Sequence, residues 1–383
     1  MSRRLTILTE IIAPYRIPVF NALAERDDVA PHVIFLAETD PSLRQWPVYR
    51  DEIRFSYEVL KSYRRRVGKF NVLISRGVGA ALEASRPDAI MGGGYSDLAM
   101  WQAQRWARRR KIPFLLWSES NAMDARRKFS WVEAAKRKFI YACQAYVVPG
   151  SSAAAYLGSF GVTEDRIFVA LNAVDVERYA SAAEQARQDV GVRDRLGLPE
   201  RYLLYVGRFV AAKGVFDLLQ AYAKLPEESR RAVGLVLAGD GEERDELIRR
   251  SHLIHPGRVW FPGFVQRDQL AGLYALAEAL VFPTRSDPWG LVVNEAIACG
   301  LPVIATDVAG CTADLVRDGV NGYVVGARQP EALSQAMEKL LRDPELRQRM
   351  GQMSLQTNSA FTPQRWAAGV VRALAGGLGA CRG

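Results

Sequence analysis

Pro283-Thr284-Arg285-Ser286-Asp287-Pro288-Trp289-Gly290-Leu291-Val292-Val293-Asn294-Glu295-Ala296 sets two carboxylates, Asp287 and Glu295, around the start of a helix. Ala279 to Phe282 reads as a buried parallel strand that Pro283 ends. A helix then runs to Gly300, and Leu301-Pro302-Val303-Ile304-Ala305 opens the next strand. Gly290 has no side chain, so an anion can approach the N–H groups of Leu291 and Val292, where the helix dipole favours it. Ionised carboxylates only accept hydrogen bonds, which suits sugar hydroxyls and repels phosphate. The expected division is therefore helix amides for a diphosphate, Glu295 for a ribose and Asp287 for an attached sugar.

The same strand and helix rhythm extends outward. In the second half, Tyr202 to Val206, Gly234 to Ala238, Val259 to Phe261, Leu280 to Phe282, Val303 to Ala305 and Gly322 to Val325 read as strands, with helices such as Gly214 to Lys224 and Asp268 to Ala277 between them. Leu5 to Leu8, His32 to Leu36, Ala89 to Gly92, Phe114 to Trp117 and Tyr146 to Val148 play that part in the first half. This alternation predicts an α/β chain of two facing Rossmann-like domains, with ligands in the cleft at the carboxyl ends of the strands. The expected boundaries are 1–172, a polar linker over 173–200, a second domain over 201–360, and a C-terminal helix within 361–383 that packs back on the body.

The chain of 383 residues is 49% apolar and 24% charged, which is globular and leaves room for two cores. No apolar run is long enough to span a membrane, and residues 1 to 12 lack the pattern of a secretory signal, so a cytosolic protein is expected. Cys143, Cys299, Cys311 and Cys381 are scattered and read as reduced thiols, and with only His32, His252 and His255 no zinc site is expected.

The net charge of +9 is unevenly placed, for residues 61–138 carry 18 Lys and Arg against 6 Asp and Glu. Arg64-Arg65-Arg66, Arg108-Arg109-Arg110-Lys111 and Arg126-Arg127-Lys128 through Lys136-Arg137-Lys138 alternate with Phe129, Trp131, Phe139 and Tyr141. An anionic membrane surface or a phosphate-bearing acceptor suits that mixture, and so do the solvated faces of ordinary helices. Nucleic acid is not expected, since no reading motif accompanies the charge.

Further chemistry gathers at strand ends. Gly207-Arg208 and Lys213-Gly214 bracket a strand-to-helix loop in which two cations can converge on one diphosphate or stand solvated. Gly239-Asp240-Gly241 is either a close approach to ligand or a plain turn, and Gly263-Phe264-Val265 either cups a nucleobase or simply turns the chain. No Asp-x-Asp is present to hold a diphosphate-bridging metal, so metal-independent chemistry is expected.

Together, Gly207-Arg208, Lys213-Gly214, Gly239-Asp240-Gly241, Gly263-Phe264-Val265 and Asp287 to Glu295, followed by Ala298-Cys299-Gly300-Leu301-Pro302-Val303, resemble the GT-B glycosyltransferases of family 4. Ala13-Pro14-Tyr15-Arg16-Ile17-Pro18 is similar to the first strand-to-helix loop of bacterial members that build surface polysaccharides. The resemblance implies a retaining enzyme with a UDP- or GDP-sugar as co-substrate and no other cofactor. Arg208 and Lys213 would hold the diphosphate, Gly290 to Val292 the phosphate and sugar, and Glu295 the ribose.

Two positions depart from the family. Its paired carboxylates usually begin with Glu, whereas Asp287 is one methylene shorter. Many members place a His at an N-domain strand end, and here Phe114-Leu115-Leu116-Trp117-Ser118-Glu119-Ser120 occupies that position. Glu119 thereby becomes the candidate polar group near the reacting sugar, or else part of a helix cap. Tyr15, Arg16, Gly94 and Tyr95 complete the expected acceptor side.

The implied acceptor is a glycan or a polyprenyl-diphosphate-linked glycan at the inner face of the plasma membrane. A nucleotide-sugar epimerase on the same plan and a non-catalytic membrane or polyanion adaptor are the alternatives. A dinucleotide oxidoreductase is disfavoured because no Gly-x-Gly-x-x-Gly follows Leu8.

Overall fold

The structure, a computed structural model, describes residues 2–40, 46–67, 70–122 and 130–380. Two compact units emerge, one formed by Met1–Val174 with Thr362–Gly383 and the other by Asp175–Phe361.

The first unit is built on a parallel sheet of β1 (Arg3–Thr9), β2 (Val29–Phe35), β3 (Ser56–Val59), β6 (Ala89–Gly93), β7 (Phe114–Trp117), β8 (Ala145–Val148) and β9 (Ile167–Val169). Their order is β3-β2-β1-β6-β7-β8-β9. Strands β4 (Ser62–Val67) and β5 (Phe70–Ser75) form a separate antiparallel hairpin. The second unit holds β10 (Tyr202–Val206), β11 (Gly234–Ala238), β12 (Val259–Gly263), β13 (Ala279–Phe282), β14 (Val303–Thr306) and β15 (Gly322–Val325) in the order β12-β11-β10-β13-β14-β15. Both orders reverse direction once, between β1 and β6 and between β10 and β13, and such a reversal opens a crevice at the carboxyl ends of the two strands.

Uninterrupted apolar strands are what a sheet covered on both faces requires. All residues of β7, β8, β10, β11, β13 and β14 are buried. Sequence reading passed over β3, β4, β5 and β9, whose short or mixed sequences stand out less. Edge strand β3 reads Ser-Tyr-Glu-Val, β9 has three residues, and β4 carries consecutive arginines.

The expected boundaries need correction. Residues 173–200 are no linker but largely the helices Val176–Gln188 and Val192–Leu196 of the second unit. Asp175 caps the first of these by accepting from the Arg178 N–H at 3.1 Å. Its buried seam of Tyr179, Ala183 and Ala186 is too small-sided to stand out as an apolar stripe. The C-terminal helix, Pro363–Ala380, belongs to the first unit, where it packs on the helix Ile17–Ala24 and along β8 and β9. Trp366 is fully buried there, with ring centroids 5.6 Å from Trp117 and 5.8 Å from Phe20.

Trp366→Ala is therefore expected to destabilise the first unit by about 3–5 kcal/mol, the range for deleting a buried aromatic. Denaturant unfolding measures it, and a loss under about 1 kcal/mol would contradict this account of the core.

Candidate functional site

In the second unit the loops after β10 and β13 are joined through backbone. The Ala212 carbonyl accepts from Arg285 N–H at 2.9 Å, Ser286 N–H at 3.2 Å and the Thr284 hydroxyl at 3.2 Å. Gly214, at φ +67°, lies so close to the next strand's end that a Cβ would stand 1.9 Å from the Pro283 carbonyl oxygen. Only glycine fits that approach. Arg285 then forks onto Asp217 at 2.7 and 2.6 Å, and this carboxylate raises the guanidinium's pKa.

That junction brings Lys213 to Asp287, and the two form an ion pair with side chains only 15% and 14% exposed. The second Asp287 oxygen accepts from the Trp289 N–H at 3.2 Å, turning the chain into Gly290 and the helix Leu291–Ala298. The cation expected on a diphosphate and the carboxylate expected on a sugar are thus each other's partner. Leu291 and Val292 open the helix beside them and are partly exposed. Arg208 is exposed, and its carbonyl accepts from the Tyr205 hydroxyl at 2.9 Å.

Strand ends β10 to β12 are stitched together as well. Gly207 N–H donates to Ala238 O at 3.0 Å, Phe209 N–H to Asp240 O at 2.8 Å and Gly239 N–H to Gly263 O at 2.8 Å. A Cβ on Gly239 would lie 1.9 Å from the Gly207 carbonyl oxygen. Backbone crowding thus accounts for that glycine, and the Asp240 carboxylate accepts from the Gly241 N–H at 2.8 Å. Phe264 is 38% exposed beyond the turn, with Val265 partly exposed next to it.

Glu295 accepts a hydrogen bond of 2.7 Å from the Tyr274 hydroxyl and another from Tyr179. Burial raises the pKa of this carboxyl, against the two tyrosine hydrogen bonds that lower it. Sequence reading missed both tyrosines. Tyr274 is one ring among the apolar residues of the helix Arg267–Leu276, and Tyr179 lies in the stretch expected as a linker.

In the first unit, Arg16 follows β1 and reaches Glu119, beyond β7, at 2.7 Å. Its guanidinium stands 3.9 Å from the Trp117 ring centroid and 5.4 Å from that of Tyr15, a stacked and paired cation. Asn172 adds a hydrogen bond to the same Glu119 oxygen at 3.2 Å. Gly94 donates its N–H to the Trp117 carbonyl at 2.9 Å, and the Tyr95 hydroxyl lies 3.1 Å from that of Ser120. Nearby Asp97 is pushed up to about 6 by burial and then by Glu10.

Much of the basic surface is already engaged. Arg64 pairs with Asp40 at 2.8 Å and Arg110 with Glu83 at 2.6 Å. Lys136 sits among the rings of Tyr95, Tyr156 and Phe160 at 5.4, 4.6 and 4.9 Å, and Arg137 lies 5.3 Å from Phe160. Arg108, Arg109, Lys111 and Lys138 are exposed, as is Trp131 at 71%. Arg126, Arg127, Lys128, Phe129 and Cys381 lie outside the described residues. Among the described residues no helix is long and apolar enough to cross a membrane.

Two family models divide most of the chain between them, "Glycosyltransferase Family 4" over residues 20–178 and "Glycosyl transferases group 1" over 193–356. The chain belongs to the GT-B glycosyltransferases of family 4. Its fold matches that of HepE from Anabaena, solved with UDP and glucose, at a TM-score of 0.74 and 19% identity over 97% of this chain and 99% of HepE. It is 35% identical over 181 residues to the alpha-D-kanosaminyltransferase of Streptomyces kanamyceticus, covering 46% of this chain and 45% of that protein. To the D-inositol 3-phosphate glycosyltransferase of Xylanimonas cellulosilytica it is 35% identical over 199 residues, 50% of this chain and 46% of the relative. The chain thus spans about half the length of these curated relatives.

Gly214→Ala is expected to separate the two loops, since the added methyl both overlaps the Pro283 carbonyl and demands a left-handed backbone. A destabilisation of about 2 kcal/mol or more should appear in denaturant unfolding of the second unit. A neutral substitution would show that the junction does not set the loop positions.

Proposed function

We propose that this glycosyltransferase moves a sugar from a UDP- or GDP-sugar to a hydroxyl of a glycan or lipid-linked acceptor, with retention of configuration and without a metal. The observation that carries the reading is the Lys213–Asp287 pair at the start of the helix Leu291–Ala298. A cation, a carboxylate and the first amides of a helix stand together at the strand-order reversal, and a nucleoside diphosphate sugar offers a complementary partner to each. A bound diphosphate would take the Lys213 ammonium and release Asp287 to accept from sugar hydroxyls.

In the proposed step the bond from the anomeric carbon to the diphosphate oxygen breaks, and a bond to the acceptor oxygen forms on the same face. The acceptor's proton passes to the departing phosphate. Lys213, Arg208 and the amides of Leu291 and Val292 stabilise the charge left on the diphosphate. Glu119 is the proposed polar group on the acceptor side, where Arg16 and Asn172 hold it. Tyr15, Arg16, Gly94 and Tyr95 are proposed to line the acceptor.

The proposed setting is bacterial surface polysaccharide or glycoconjugate synthesis, peripheral on the inner face of the plasma membrane. Exposed Trp131 and the cations Arg108, Arg109, Lys111 and Lys138 on the first unit support it, for that pairing of aromatic and cation suits an anionic lipid surface.

Turnover of UDP- and GDP-sugars, with polyprenyl-diphosphate-linked and short soluble glycans as acceptors, tests the reading. Lys213→Ala is expected to lower kcat by roughly a hundredfold, about 3 kcal/mol of transition-state stabilisation. Near-normal turnover in that variant would remove Lys213 from the mechanism. An altered sugar released from donor alone would favour an epimerase, and nucleotide-free binding to anionic vesicles without turnover would favour an adaptor.

A further inference from the structure

Glu295 is partly buried one turn inside its helix, in a place where a carboxylate needs partners to stay oriented. Two come from different helices. Tyr274 of Arg267–Leu276 donates at 2.7 Å to Oε2, and Tyr179 of Val176–Gln188 makes the second bond. The tyrosine rings meet edge to face at 6.4 Å. Tyr179 is held in turn by the Cys299 thiol, 3.7 Å from its carbonyl, while Arg187 bonds the Cys299 carbonyl. Tyr179 is 5% exposed and Tyr274 fully buried, so neither is placed to touch a ligand directly.

We propose that Tyr179 and Tyr274 are positioning residues that orient the Glu295 carboxylate for the vicinal 2′,3′-diol of a nucleotide ribose. An ionised carboxylate has about four lone-pair sites. Two tyrosine hydroxyls take two of them and restrain the group, leaving acceptor positions for two neighbouring hydroxyls. The inference rests on the donor reading of Glu295 given above. It also gives the Val176–Gln188 helix, at the entry of the chain into the second unit, a part in donor recognition.

Calorimetric binding of UDP, GDP and their 2′,3′-dideoxy forms to the full chain, with Tyr179→Phe and Tyr274→Phe variants that keep the rings, provides the test. The unsubstituted protein should prefer the ribonucleotide of its base by on the order of a hundredfold, the scale of two hydrogen bonds to a charged group. Each variant should lose about tenfold of that preference, with dideoxynucleotide affinity unchanged. Removing a hydroxyl also removes a bond that favours the ionised carboxylate. The pH below which ribose preference disappears should therefore move upward in both variants. Cys299, Arg187, Arg267, Arg178 and Asp268 surround this cluster and remain in place in each variant.

Equal weakening of both nucleotide forms would mean that the tyrosines only pack the core, and it would overturn the inference, as would an unchanged preference. If the unsubstituted protein shows no ribose preference, or Glu295→Gln leaves it intact, the ribose reading of Glu295 falls and takes the inference with it. Loss of preference in Glu295→Gln but not in the tyrosine variants would overturn the inference alone.

Discussion

Three donors converge on the Ala212 carbonyl, and this junction of two loops is the constraint from which the second unit's site follows. Strands β10 and β13 are neighbours in the sheet but not in the sequence, so the chain needs a device to register their loops. Backbone hydrogen bonds and the close fit of Gly214 against Pro283 supply it. Lys213 and Asp287 inherit their proximity from that registration, and Gly290 then turns the chain into the helix Leu291–Ala298. The ion pair is a consequence of the junction and contributes little as a cause of folding, since partly buried pairs gain little net stability over their desolvation.

A related arrangement holds at the first unit's reversal. A cation after β1, Arg16, meets a carboxylate after β7, Glu119, over the face of Trp117. Here stacking and Asn172 share the work of holding the pair, and more of Glu119 than of Arg16 remains accessible, with 32% against 15% of the side chain exposed. Each unit thus places an acceptor-only group, restrained by a cation, at the carboxyl ends of its central strands.

Much of this was legible in the sequence, and what was not has specific physical reasons. Fully buried parallel strands announce themselves as apolar runs, so β7 and β10 were read to the residue. The seam of Tyr179, Ala183 and Ala186 carries too little hydrophobic surface to mark a helix that packs through small residues, and its helix passed for a linker. Loop residues were named one by one, but which of them meet depends on long-range pairing that no local pattern encodes. Lys213 and Asp287 were therefore assigned separate duties although they are bonded to each other. The basic stretch was legible only as a count, since composition tallies charges without showing that Arg64, Arg110, Lys136 and Arg137 already lie against carboxylates or rings.

The proposed exchange of partners at Lys213 is the step that would turn the resting ion pair into a donor site. A crystal structure of the chain soaked with its UDP- or GDP-sugar tests it directly. Expected there is a phosphate oxygen about 2.8 Å from the Lys213 ammonium, with Asp287 detached from the lysine and turned to the sugar hydroxyls. A bound nucleotide sugar with the Lys213–Asp287 pair intact and the diphosphate held elsewhere would contradict it.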